Sequence, residues 1–186
     1  MAQPYTDLTV AIVKTPDGQE SMTLRLGSSY EAEARAPEVA AVTPTKAPEL
    51  LVTFNKAYLD LGKAYAQLHL QHSRAEDALA RRKAVILLDL APGIAKAKGV
   101  ASSADIRQAI IDSDTEYQGY KEMVDQLKAT IEYIKTKIKF MENNYTAVKK
   151  IIGERNWNMA GDEVSRQLSQ GEVQGSVGRP QFGKAL

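Results

Sequence analysis

From Pro48 onward the apolar positions fall three and four residues apart: Leu51, Phe54, Tyr58, Leu61, Tyr65, Leu68, then His72, Ala75, Leu79, Arg82 and Ile86. That spacing predicts a helix with one apolar seam. Pro92 and Gly93 in "APG" are expected to end it, because proline pushes its predecessor out of helical space and glycine suits a left-handed turn. After "IAKAKGV", read as a loop or single turn, Ser102 or Ser103 can cap a second helix. From Ile106 the steps four, three, four, three then select Ile110, Ser113, Tyr117, Tyr120, Val124, Leu127, Ile131, Ile134, Ile138, Met141, Tyr145, Val148 and Ile152, with only Ser113 out of character. No proline interrupts this run, and Gly119 is its only glycine before Gly153. The pattern therefore predicts one continuous rod of roughly fifty residues, about 75 Å long.

Such a rod cannot bury its seam alone; it must pack against the first helix, against copies of itself, or both. Isoleucine occurs in both seam sets, which argues against a two-stranded zipper and for a higher-order bundle. The expected fold is mainly α: a long two-helix antiparallel hairpin or coiled coil, assembling into an oligomeric bundle through Ile110, Val124, Leu127, Ile131, Ile134 and Ile138. Ahead of it, "LTVAIVKTPDGQESMTLRL" alternates around a "TPDG" turn and predicts a small N-terminal β-hairpin. "EAEARAPEVAAVTPTKAP" reads as a linker. Residues 1–46 thus form an arm, 47–153 the helical domain, and 154–186, rich in Gly, Gln and Ser, a flexible tail in which Trp157 and Phe182 are candidate anchors.

Composition narrows the chemistry. Among 186 residues there is no cysteine, so thiol nucleophiles, disulfides and thiolate metal sites are excluded. No phosphate-binding glycine loop is present, and the serines of "ASSAD" have no base at a recognisable spacing. His69 and His72 could share a metal with Glu76, but histidines without a metal role are the commoner case, and no helical Glu-x-x-His pair occurs. The expectation is a protein that is not an enzyme and uses no metal or cofactor. Apolar runs are too short to span a membrane and the N-terminus lacks signal-peptide character, so a cytoplasmic location without membrane contact is expected.

The formal net charge is only +1, so attraction to a polyanion must come from local clustering. Two clusters stand out. "ARRKA" places Arg81, Arg82 and Lys83 near the end of the first helix, with Arg74 one or two turns earlier; the helix dipole accounts for some of this charge but not three adjacent cations. On the second helix, Lys128 and Lys135 belong to a basic stripe beside the seam, widened by Lys137 and Lys139. Tyr133 and Phe140, seven residues apart, lie near that stripe, an arrangement single-stranded nucleic acid can use for stacking and phosphate contact. The bland reading is a solvated lysine face with Phe140 packed on the first helix.

A helix with a basic group near its end, a Gly-containing turn, and a long helix opening in "IRQAIIDSDTEY" and closing in "AVKKII" resembles the phage recombination mediators of the UvsY type over about residues 55–152. The resemblance implies an oligomeric helical protein that binds single-stranded DNA and helps a RecA-like recombinase replace the single-strand-binding protein, with Arg81, Arg82 and Lys83 at the DNA-binding position. The N-terminal hairpin and the tail lie outside the pattern. The competing expectation is a structural protein of a phage particle or similar assembly, a helical strut with extended arms, which would place it in the virion.

Overall fold

A computed structural model describes residues 7–15, 18–97, 99 and 103–174, with side chains as far as Arg155. Strands β1 (Leu8–Ala11) and β2 (Ser21–Leu24) pair antiparallel, Leu8 opposite Leu24 and Ala11 opposite Ser21. The predicted hairpin is present. Gly18 takes φ +81° and donates its N–H to the Thr15 carbonyl at 2.9 Å, a conformation only glycine adopts cheaply. Val10, Ile12, Leu24 and Leu26 share one face of the ribbon and are buried, as the period of two requires.

The segment expected as a linker is instead folded. It forms α1 (Gly27–Arg35) and a tight 3-10 turn (Ala36–Ala41). Ser29, Ala32, Val39 and Val42 point into the core. A serine and a single alanine at helical spacing hid the α1 pattern, since they look like linker composition. Arg35 ties the segment down through Glu38 at 3.1 Å, Glu49 at 2.8 Å and Thr53 at 3.2 Å.

Helix α2 (Ala47–Val85) buries Ala47, Leu50, Phe54, Ala57, Leu61, Ala64, Leu68, Gln71 and Ala75. Between Leu51 and Ala75, half of the predicted seam is displaced by one residue. Phe54, Leu61, Leu68 and Ala75 hold, but Leu50, Ala57, Ala64 and Gln71 replace Leu51, Tyr58, Tyr65 and His72. Close approach of two helices favours alanine where bulk alone favours tyrosine, and Tyr58 is left 41 % exposed. On the buried edge, Gln71 Oε1 has no hydrogen-bond donor.

Pro92 does not end the helix. The ladder widens into a π turn (Ile86–Leu90), with the Ala91 N–H donating to the Ile86 carbonyl, and α3 (Ala91–Ala97) follows directly. Widening by one residue just ahead of Pro92 accommodates the missing N–H and the ring, so the chain stays helical. Gly99, at φ +66° with its N–H on the Lys96 carbonyl at 3.2 Å, makes the left-handed turn expected of Gly93.

The second predicted helix is two helices, α4 (Ala104–Ser113) and α5 (Thr115–Gln174). Ser103 caps α4 by accepting the Ile106 N–H at 3.3 Å. Asp114 leaves helical space at ψ 114° and caps α5, its Oδ1 accepting the Tyr117 N–H at 2.7 Å. The continuous rod is therefore broken near its start, because a capping aspartate competes with the helical ladder. At the other end the backbone remains helical past Gly153 to Gln174. Residues 175–186 of the expected tail, and the side chains of Trp157 and Phe182, lie outside what is described.

Helices α2 and α5 are the principal pair. Arg82 meets Asp114 at one end, while Phe54 and Tyr58 share a cavity with Met141 and Tyr145 further along, so the helices run antiparallel. Leu127, Ile134, Met141 and Val148 are wholly buried and Ile131 is 5 % exposed; Val124, Ile138, Tyr145 and Ile152 flank them. The predicted register of α5 is correct. Its seam, however, is covered by the same chain's α2 and N-terminal segment. Leu127, Ile131 and Ile134, assigned to subunit assembly, need no second copy for their burial, and Val124, Ile138 and Ile110 are half-buried within the single chain.

Candidate nucleic-acid interface

The last third of α2 presents Arg74, Ala78, Arg81 and Val85 at steps of four, three and four, one stripe of the helix, with Asp77 and Arg82 on its flanks. The chain beyond β1 brings Val13, Lys14 and Thr15 over this stripe, and the first turns of α5 bring Glu116 and Tyr120 to its other side. Together they enclose an open groove of about 610 Å³. Four cations line it, Lys14, Arg74, Arg81 and Arg82, against the carboxylates Asp77 and Glu116.

Those cations are not equivalent. Arg74 and Arg81 are exposed and form no ion pair with any described residue. Lys14 reaches Glu20 at 3.1 Å, a pair about two-thirds exposed on both sides and worth little in water. Arg82 is committed. Its Nε and one terminal nitrogen donate to the two Asp114 oxygens at 3.0 and 2.6 Å, and the other terminal nitrogen lies 2.8 Å from Glu116. The bond to Asp114 raises the arginine's pKa, and the arginine holds the Asp114 carboxyl below the usual carboxylate range. Burial, helped by Glu116, raises the pKa of Tyr120.

Of the predicted DNA-binding residues, the fold thus gathers Arg74, Arg81 and Arg82. Lys83 is exposed next to them but does not line the groove. Lys128, Lys135 and Lys139 are exposed on α5, about 12 to 28 Å beyond Tyr120 at 1.5 Å per residue, so they form a separate face. Lys135 lies 3.5 Å from Glu132.

Lys137 is a correction: it faces inward, 8 % exposed. Its ammonium pairs with Glu33 of α1 and sits 4.7 Å from the Tyr30 ring and 5.1 Å from that of Tyr133. Burial lowers its pKa, but bonds to Glu33 and Tyr133 outweigh this and the net shift is upward. The helical wheel put it beside the seam without revealing that α1 covers that side. Tyr133, 44 % exposed, serves this cluster with one edge and solvent with the other; Phe140 is 38 % exposed.

Lys14, Glu116 and Tyr120 were absent from the sequence-derived site. Only the docking of the hairpin brings Lys14 near α2, and nothing in its own neighbourhood signals it. Among the described residues no three histidine or acidic side chains converge as a metal site, and no helix is long and apolar enough to cross a membrane. His72 Nδ1 lies 3.4 Å from Glu76, while His69 packs edge-on against Tyr65. No protein-family model, curated protein or solved structure matches the chain.

Proposed function

We propose that the chain is a non-enzymatic single-stranded-DNA-binding protein of the recombination-mediator kind, helping a RecA-like recombinase replace single-strand-binding protein. One observation carries the DNA-binding reading: Lys14, Arg74 and Arg81, from two distant parts of the sequence, share one open groove, and both arginines are free. A groove of this kind suits phosphates followed along a strand, with Tyr120 beside them as a ring on which a base can stack. The mediator role itself rests on the resemblance of residues 55–152 to the UvsY type.

A homo-oligomer belongs to this proposal, because weak grooves gain affinity when linked. With the α5 seam largely occupied, a surface available to a second copy is the outer face of α2, where Val52, Leu59 and Leu70 are each more than half exposed at helical spacing. Leu59→Glu is expected to lower the sedimenting mass while leaving helicity intact.

The test is titration of labelled oligo-dT at two salt concentrations with the wild type and with Arg74→Ala/Arg81→Ala. Binding that weakens with salt and in the double variant supports the reading; equal binding by the variant removes the groove from it. Loading of a RecA-like recombinase on DNA already coated with single-strand-binding protein tests the mediator role. The strut reading is favoured by one observation: Arg82 and Lys137, two cations assigned to DNA, tie the chain to itself. No oligo-dT binding at low salt would leave the strut.

A further inference from the structure

From Ala104 to Gln118 there is no proline or glycine, and apart from Ser113 the apolar steps of four and three run from Ile106 through Val124, so the one local signal for a break is the capping residue Asp114. The break consists of one residue, Asp114, turned to ψ 114°. Two things hold it there. Its carboxylate caps α5 through the Tyr117 N–H, and the same carboxylate is gripped by Arg82 from α2. Smaller bonds finish the junction: the Gln118 side chain donates to the Asp112 carbonyl at 3.2 Å and the Ser113 hydroxyl to that of Ile110 at 2.9 Å. Ile111, 2 % exposed, holds α4 down.

Arg82 also lines the groove. We infer that the Arg82–Asp114 contact is a clasp which a phosphate chain entering the groove opens, so that α4 and α5 join into one continuous helix. The inference rests on the polyanion-binding reading above and adds its regulation. The required energetic difference between states is explicit: clasped, all three nitrogens of the Arg82 guanidinium contact the carboxylates of Asp114 and Glu116; released, those nitrogens are available to phosphate. A ligand that makes an additional contact in only one state shifts the equilibrium toward it. Asp114, without its cation, reverts to the conformation its neighbours and the seam already favour. Binding and helix joining are thereby linked, and each promotes the other.

The chain lacks cysteine, so Asp105→Cys and Asp125→Cys, both exposed, allow paired spin labels on α4 and α5. An unbroken helix separates them by about 30 Å. Titration with oligo-dT, and in parallel with inorganic polyphosphate, is expected to build a population at that distance. Asp114→Ala should show it without ligand and bind oligo-dT about fivefold or more tightly. Because that change also removes a negative charge, the decisive variant is Thr115→Pro. Proline suits the first position of α5 but disfavours helical backbone at Asp114 and removes the Thr115 N–H that a continuous helix would bond. It leaves the groove's charge unaltered and should abolish the 30 Å population and weaken binding about fivefold. Both variants are checked for helicity by circular dichroism. If both polyanions bind with no change in label distance, or Thr115→Pro binds as the wild type does, the clasp is overturned and the groove stands. If polyphosphate shifts the distance and oligo-dT does not bind, the clasp stands and the DNA reading falls.

Discussion

Lys137 in the middle of the helix pair and Arg82 near its tip began with the same description, a cation on a helix beside an apolar seam. In the middle, α1 lies across the pair, and Lys137 is enclosed by Glu33, Tyr30 and Tyr133. At the tip the cover is thinner: the hairpin end reaches Arg82 from one side only, and the groove stays open between them. One cation holds the N-terminal segment onto the helices, while the other holds a helix junction at the edge of a binding groove. A third layer of structure, where it exists, turns surface charge into internal fastening.

The sharpest way to break this contrast is to place a charge in the seam at both locations. Ile131→Asp, beneath the covered middle, is expected to cost about 3–5 kcal/mol and to unfold the chain, read by thermal denaturation. Ile110→Asp near the half-open tip should cost under about 2 kcal/mol. Equal losses would mean that the tip is as well covered as the middle.

Removing the fastenings comes next. Lys137→Ala leaves Glu33 without its partner in a half-buried setting and is expected to cost about 1.5–3 kcal/mol. Arg82→Ala, at the more hydrated tip, should cost clearly less than Lys137→Ala in chemical denaturation.

The two regions should also respond to opposite ends of the pH scale. Lys137 has a raised pKa, so its stabilisation is complete below the ordinary lysine value and is lost as pH climbs through the raised one, above about 10.4. Tyr30, raised by its bond with Tyr133, adds to alkaline loss. Asp114 has a lowered pKa, so its contribution is present above the ordinary carboxylate value and disappears as pH falls through the lowered one, below about 4. Amide exchange should show α1 loosening first in alkali and the start of α5 first in acid. The smallest expected effect lies between the regions: Gln71→Leu replaces a buried, unsatisfied carbonyl and should stabilise by about 1 kcal/mol.

Regular, large, local signals were legible in the sequence. The β-hairpin followed from alternation around Gly18, and the α5 register from isoleucines and leucines at strict spacing. The α2 seam was half legible, because choosing the bulkier residue at each step prefers Tyr58 to Ala57, while helix approach prefers the reverse. Asp114 carried a capping signal in "DSDTEY", but an unbroken seam argues for continuity, and both cannot be satisfied by one backbone. In the candidate site, Arg74, Arg81 and Arg82 stood out as a cluster; Lys14 did not.

The amino-acid order alone determined the apolar face of α5, where the hairpin turns, and that the chain carries no thiol. These depend on neighbours within a few residues, and short-range sterics and periodicity decide them. Tertiary structure alone decided what covers each face. It assigned the α5 seam to α2, Lys137 to Glu33, Arg82 to Asp114, and the open groove to Lys14, Arg74 and Arg81. Those assignments join residues from 32 to 104 positions apart, where the sequence carries charge and size but no record of distance.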